Sequence, residues 1–494
     1  MKPILITIFL CIQLFSAKAQ SGLEVVYDFC TDTPVTSSLY SCLADTNQFF
    51  VVGGTMTLGV SSLHSTLASF DYQGNMLWYK KLFFPGQYNS SAGKNLLLKL
   101  DTNKYVVAAL ELDYSINTTK VIWQPFMFFF KKNGDSIRFV KLVDSFQTRY
   151  FNSIVNDGKY IITAGGKFSK AGGTVALWLC KFDTTGNLIW EKEYLNTEKD
   201  INDINITKTN DGYYIVSGSM KDTSIHLVGS CYMKFDTSGN IVWLKSLKKQ
   251  YQSYSRMDIA TNPGGGYYFV SSVSRSATMA PDSSFIYYGK LDEKGDTLWT
   301  KDFRKWFYNC EGIQIKWTSD YKNLIILVGA YSSTQSGVLK IDTLGNPIWY
   351  TIPSYFSGGK KMECLLNAIS MTPDNRCLLA GATYTGHGTD NMSWMIVLDT
   401  NGIRYPNDPG LLPLGIKTMI ANNNFKIWPN PVKEQLFVSN TANIEKLELF
   451  DLEGRRLIES QPERNSCSID VSLLSPGVYI LRINDTVSRC VIKN

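Results

Sequence analysis

Histidine is nearly missing from this sequence: 494 residues contain three, His64, His226 and His387. Charge is also sparse, at 19% of residues, and 49 basic against 43 acidic side chains leave only +6 over the whole length. So dilute a balance excludes a nucleic-acid footprint, which needs basic residues gathered on one domain or face. Ten cysteines include no Cys-x-x-Cys, no adjacent pair and no Cys/His spacing of a metal site. The motifs G-x-S-x-G, H-E-x-x-H, Walker A and the dinucleotide glycine fingerprint are absent as well. Long apolar runs are lacking too. Ile4–Phe15 is short, and Val121–Phe130 is broken by Gln124 and Pro125. Neither reaches the roughly 20 residues of a membrane-spanning helix. On these grounds no catalytic residue, metal ligand or cofactor is assigned.

What is present is a turn-rich, core-forming composition: 44% hydrophobic and 13% aromatic residues, 37 Gly and 16 Pro. That excludes a disordered chain, and the length predicts two or three domains. Lys2, the apolar run and the exit Ala17-Lys18-Ala19 read as a cleavable secretory signal over 1–19, with Gln20 first in the mature chain. An exported chain can form disulfides. Cys30–Cys42 and Cys467–Cys490 are candidate pairs, and the nine cysteines left after loss of Cys11 leave at least one thiol unpaired.

One unit recurs. Lys181–Trp190 (KFDTTGNLIW) returns as KFDTSGNIVW at Lys234, KLDEKGDTLW at Lys290 and KIDTLGNPIW at Lys340. Weaker copies start at Ser69, Phe129 and Val397, so the copies number seven, with glycines 60, 52, 53, 56, 50 and 57 residues apart. A second signature, as in DGKYIITAGG at Asp157 and DGYYIVSGS at Asp211, precedes each copy. In the turn, Asp can accept from backbone N–H groups two residues on, and Gly supplies a positive φ. The structural residues of the repeat are thus Asp183, Gly186, Trp190, Asp236, Gly239, Trp243, Gly295, Trp299, Gly345 and Trp349.

Each repeat reads as four strands, a to d, with a turn a–b, an apolar strand b and a Trp on strand d. Four-stranded units at this period predict an all-β fold, a seven-bladed β-propeller over 20–405. The last repeat lacks strand d, and Leu23–Phe29 is the expected substitute that closes the ring and removes a free edge.

A linker over 406–424 leads to a β-rich tail, 425–494. It holds Pro429-Asn430-Pro431, then Asp451, Gly454 and Arg455, then Gly477 and Tyr479, and ends with Lys493-Asn494. Motif order and spacing resemble the type IX (Por) secretion C-terminal sorting domain, type A. The resemblance implies a small Ig-like β-sandwich recognised by the outer-membrane translocon of a Gram-negative bacterium and usually removed during export. The cargo would be released or attached to surface lipopolysaccharide. An ordinary adhesive sandwich is the alternative. The Asp-x-x-Gly-x-x-x-Trp repeat is similar to the tryptophan-docking repeat of quinoprotein propellers, in which the Trp packs between blades. Without an adjacent cysteine pair, that resemblance reaches the scaffold and brings no cofactor. Sialidase-type Asp boxes have a shorter Asp-to-Gly spacing, so no residue of that family is carried over.

Turns a–b and c–d fall on one face of such a ring, and the irregular b–c and d–a connections on the other. The d–a connections are aromatic: Tyr150; Tyr251 and Tyr254; Trp306, Phe307 and Tyr308; Tyr355. Arg149, Arg256, Arg304 and Lys305 accompany them. Rings beside cations suit glycans or acidic polymers. The same rings serve equally to seal the blade tops. The expected function is a non-enzymatic binding module for a glycan or a surface protein. The alternative is a polysaccharide hydrolase or lyase drawing its acids from that face. The three histidines belong to repeats 1, 4 and 7 and form no triad.

Overall fold

The computed structural model describes residues 23–27, 29, 35–57, 62–82, 88–90, 96–113, 122–142, 147–168, 175–194, 199–222, 227–247, 253–274, 285–303, 310–330, 336–357, 360–384, 391–404, 411–413, 426–451, 456–484 and 487–494. The signal segment, with Ala17, Ala19 and Gln20, lies outside them. Among the described residues there are strands and no helix.

Seven antiparallel sheets follow one another along the chain. The third is typical, with strands Arg149–Asn156, Tyr160–Phe168, Val175–Asp183 and Leu188–Tyr194 paired in order. The first (from Val35), fourth (from Lys199), fifth (from Ser253) and sixth (from Cys310) repeat that order. In the second, strand a is split into Tyr88–Ser90 and Leu97–Lys99, both paired with Lys104–Asp113. First strands of successive sheets touch in a circuit that returns from Cys364–Met371 to Val35–Ala44. That circuit makes the seven sheets the blades of a closed propeller, with strands a innermost. Strand b is buried on both faces: Leu324 to Val328 in the sixth blade are at most 1% exposed.

The seventh blade is completed as expected. Leu23–Tyr27 pairs antiparallel with Asn391–Leu398, matching Leu23 to Val397 and Tyr27 to Ser393. Its Glu24 carboxylate accepts from the fully buried Arg404 at 2.6 Å and from Trp394 Nε1 at 2.9 Å.

Six of the seven c–d turns are closed by their own aspartate, the second blade having Lys131 at that position. Asp183 Oδ1 accepts from the N–H of Thr185 and of Asn187, both at 2.9 Å, and Oδ2 from the Asn187 amide at 2.8 Å. Asp71, Asp236 and Asp342 do the same with their own neighbours. The Thr185 hydroxyl, then these amides, hold the Asp183 carboxyl far below its ordinary range. The fourth residue of the turn is glycine for two reasons. Gly345 has φ +76°, and a Cβ there would lie 2.5 Å from the ring of Trp299, on strand d of the preceding blade. The same contact recurs at Gly134 over Trp78, Gly239 over Trp190, Gly295 over Trp243 and Gly402 over Trp349, at 2.8–3.0 Å.

A lysine two residues after the tryptophan reinforces three of these joints. Lys192 donates to Asn240, Lys301 to Asn346, and Lys245 pairs with Asp296, each in the next blade's turn. Two joints differ. Arg138 stands where strand d of the second blade would carry Trp, and it donates to Thr185 O and Asn187 Oδ1 of the third. At the closing joint, Leu23 and Val25 take the place of Trp and cover Gly74.

Part of the expected linker joins the ring. Leu411–Pro413 pairs with Pro347–Thr351 as a fifth strand of the sixth blade. That outer strand lacks the lysines that follow Trp78, Trp190, Trp243 and Trp299, and covering is the other way to protect an edge.

The candidate disulfides are corrected. Cys42 and Cys467 are free, while Cys30 and the Cys490 side chain lie outside the described residues. Cys42 is buried between the first and seventh blades, where desolvation pushes its thiol far up. The tail forms two sheets. One contains Lys426–Trp428, Gln435–Ile444 and Arg464–Asp470. The other is built of Arg456–Ser460, Leu447–Phe450, Gly477–Ile483 and Val487–Lys493. They enclose Leu436, Val438, Leu449, Ile469, Leu481 and Val491 as a core, a small sandwich.

Gly345→Ala is expected to destabilise the propeller by more than about 2 kcal/mol, combining left-handed strain with a displaced tryptophan. Gly158→Ala and Gly212→Ala share the positive φ but would meet no atom within 4 Å, so they should cost only about 1 kcal/mol. Denaturant unfolding of the three variants measures the difference. Glu24→Ala removes the Glu24 carboxylate from the buried Arg404, which keeps its bond to Ser354 O, and should cost about 3 kcal/mol in the same assay.

Candidate functional site

The turn face is spent on folding, because its aspartates and glycines are occupied by their own backbones and by neighbouring blades. The loop face is different. Trp123 starts strand c of the second blade, while Tyr150 and Phe168 begin strand a and end strand b of the third. Their rings meet edge to face at 5.9 Å (Trp123–Tyr150) and 5.7 Å (Trp123–Phe168), with Tyr150–Phe168 at 6.1 Å. All three are half-buried. Gly166 makes room, since a Cβ there would lie 2.5 Å from the Tyr150 hydroxyl. Arg149 sits over Trp178 and pairs with Glu191 at 3.1 Å, leaving a cation beside the cluster with its charge already matched.

A second group lies on the innermost strands. Six of the seven strands a carry a bulge at the same level, for instance between Phe151 and Ser153, Ser255 and Met257, and Gly312 and Gln314. Bulges re-aim side chains and often border functional sites. Around them, buried polar side chains tie blade to blade. Ser41 accepts from Leu96 N, Ser153 from Ile206 N, Asp258 from Ile315 N and Gln314 from Ile369 N. At the bulges of the fourth and fifth blades, Asp203 and Arg256 have φ of +52° and +46°. Arg256 bridges Asp203 at 3.0 Å and Glu311 of the sixth blade at 2.5 Å. Two carboxylates and a guanidinium thus cross three blades, in the half of the inner strands nearer the loops.

Of the residues expected on the ligand face, Tyr150 is in the aromatic cluster. Tyr355 is half-buried against the core of the seventh blade, and its N–H faces Cys364 Sγ at 3.4 Å. Tyr254 lies on strand a of the fifth blade, its side chain outside the description, and Tyr251, Trp306, Phe307 and Tyr308 fall outside the described residues. His64 is half-buried on strand c of the first blade. Burial, then Lys81, lowers its pKa and favours the neutral ring. His226 and His387 lie outside the description. Among the described residues, no three His, Cys, Asp or Glu side chains gather closely enough to hold a metal.

Trp123 and Phe168 escaped the sequence reading because they sit at strand ends, beyond either signature. Asp203, Arg256 and Glu311 lie on strand a, which has no signature. Their spacing of 53 and 55 residues matches the repeat period and was the available signal.

In the tail, the first motif and the last strand are one object. Asn430 Oδ1 accepts from Ile492 N at 2.8 Å, and Val432 pairs with Lys493 in a parallel bridge. Pro429 and Pro431 flank Asn430, both preceded by cis peptide bonds. Tyr479 donates to Ser475 O at 2.7 Å, two residues before Gly477 opens its strand. Asp451 is half-buried, and Gly454 and Arg455 lie outside the description. Glu448 is buried at the centre of the four-stranded sheet. Desolvation alone would raise its pKa, but Arg456, Arg482 and Lys446 outweigh it and hold the carboxyl at about 2.

The class is therefore a β-propeller with a C-terminal β-sandwich. Residues 426–493 match the secretion system C-terminal sorting domain family. The tail is a sorting domain of the type IX (Por) system, and the protein is secreted or attached to the outer cell surface of a Gram-negative bacterium. No curated protein matches the chain in sequence. Among solved structures it is similar to the polysaccharide lyase Uly1, with a TM-score of 0.48 and 11% identity, over 73% of this chain and 89% of that one. A Penicillium chrysogenum α-L-arabinanase follows at 0.41 and 12%, over 65% and 100%. A Dyadobacter fermentans protein of unknown function stands at 0.45 and 9%, over 76% and 97%. The chain spans 53% of the length of a prolyl endopeptidase that it matches at 0.44 and 13%. Likeness at this level carries no argument about activity.

Because the Glu448 pKa is depressed on folding, from an ordinary 4.5 to about 2, its stabilisation is complete above about pH 4.5 and drains away as pH falls toward 2. In the full chain at pH 3, Glu448→Gln should remove this acid dependence. Hydrogen exchange across 477–483, compared with wild type at pH 3 and 6, measures it.

Proposed function

We propose that the protein is an exported, non-enzymatic binding module that holds a glycan through the loop face of its propeller. The half-buried cluster Trp123–Tyr150–Phe168 carries this reading. Aromatic rings at a blade junction, beside Arg149, offer flat apolar area for the CH faces of sugar rings. The type IX tail supports it by delivering the propeller to the cell exterior, where polysaccharide is available. In the mature chain, Trp123→Ala or Tyr150→Ala should weaken binding to the best glycan on an array about tenfold or more. Wild-type binding to no glycan, or variants that bind as wild type does, would sink the proposal and leave a surface protein as the ligand.

A second reading, polysaccharide hydrolysis or lysis, rests on Asp203 and Glu311 converging on Arg256. It requires turnover of a bound polysaccharide that is lost in Glu311→Gln and in Asp203→Asn. Release of no new reducing or unsaturated ends from any bound glycan would reject it.

A further inference from the structure

The seventh blade departs from the repeat at one residue. In the first six blades strand d starts with Met76, Ser136, Leu188, Ile241, Thr297 and Pro347, and all six are exposed. The equivalent position after the Asp399 turn is Arg404, which is fully buried. Leu23–Tyr27 fills the place of strand d here, so the chain leaves the blade at this arginine. Arg404 Nη1 donates to Glu24 Oε1 at 2.6 Å and to Ser354 O at 2.8 Å. Glu24 belongs to the closing strand, and Ser354 follows strand d of the sixth blade. One guanidinium thereby joins the end of the ring, its N-terminal strand and the neighbouring blade.

The chain then returns to that same sixth blade. Leu411 pairs with Thr351, three residues before Ser354, Leu412 with Tyr350 and Pro413 with Trp349. The strand so covered is buried at Trp349, Tyr350 and Thr351, which are 7%, 6% and 0% exposed. At the same places in the third blade, Trp190 and Lys192 are half-buried and Glu191 is exposed. Three residues form few ladder bonds, each of small net value. A strand this short stays seated only while the chain beside it is anchored.

We infer that Arg404 is a latch, and that Leu411–Pro413 seats on the sixth blade only when Leu23–Tyr27 has closed the ring. With the closing strand undocked, the Ser354 carbonyl remains but no carboxylate neutralises the guanidinium. A buried charge in that state is driven out to water. Arg404 then turns outward, and the chain that starts from it is drawn off the sixth blade. The strap leading to the sorting tail therefore lies on the propeller only when the propeller is complete. This device does not depend on what the loop face holds.

Thermolysin cleavage of the mature full chain under native conditions, located by mass spectrometry, tests the latch. Leu411 and Leu412 should resist cleavage in wild type and be cut about tenfold faster or more in Glu24→Ala. Glu24→Gln, which keeps an acceptor but no charge, should be cut at an intermediate rate and serves if the alanine variant does not fold. The double variant E24A/R404M has no buried charge to expel and should return to the wild-type rate. Gly295→Ala weakens the ring at another joint, where a Cβ would lie 2.9 Å from Trp243, and should leave both leucines protected. Wild-type cleavage rates in both Glu24 variants would overturn the inference. So would equal acceleration in Gly295→Ala, or a double variant cut as fast as Glu24→Ala.

Discussion

Everything in this propeller hangs on the contact between a strand-d tryptophan and the glycine of the next blade's turn. A four-stranded sheet buries little of itself, and a blade is stable only when both faces are covered. The joint covers the outer edge of one blade with the turn of the next. It does so with a residue pair that tolerates no extra carbon on the glycine side. Removing a buried aromatic ring costs several kcal/mol, so five such contacts set the order of the blades as well as their stability. The polar belt at the bulged inner strands is the counterpart near the axis, joining backbone to side chain between blades where the outer joint joins ring to turn.

A ring made this way must end somewhere, and it ends at Leu23–Tyr27. That strand supplies the missing edge partner of the seventh blade, the apolar cover for Gly74 and the carboxylate for a buried arginine. First and last blades are thereby locked by residues nearly four hundred positions apart. The loop face is relieved of structural duty because turns and joints lie at the other end of each strand. Half-buried rings and an inner carboxylate–guanidinium chain are found on the relieved side.

The repeat, the seven blades and the closing strand were legible because hairpin turns demand particular residues: an aspartate to cap, a glycine for positive φ, a tryptophan to dock. The sorting tail was legible for a similar reason, since Asn430 must meet the last strand and Tyr479 must reach Ser475. Strand a was much less readable. Its role is to present bulged residues to the axis, and a bulge has no fixed residue type, so Asp203 and Glu311 passed unnoticed. Arg256 was noticed for its charge, but its two carboxylate partners, Asp203 and Glu311, were not. The fifth strand at Leu411–Pro413 was hidden because a short edge strand leaves no periodic pattern, although the uncharged Pro347–Thr351 it covers is visible beside its lysine-bearing equivalents.

The central claim is that the ring is closed by its own N-terminal strand, whose Leu23 and Val25 cover Gly74 where a tryptophan covers the turn glycine at five other joints. Hydrogen exchange of the mature chain tests it most directly, at the amides of Leu23–Tyr27. A closed ring predicts protection there comparable to that of Leu188–Tyr194 and Ile241–Ser246, outer strands of interior blades. Exchange of Leu23–Tyr27 at the rate of an unstructured peptide, with those two strands protected, would contradict the account.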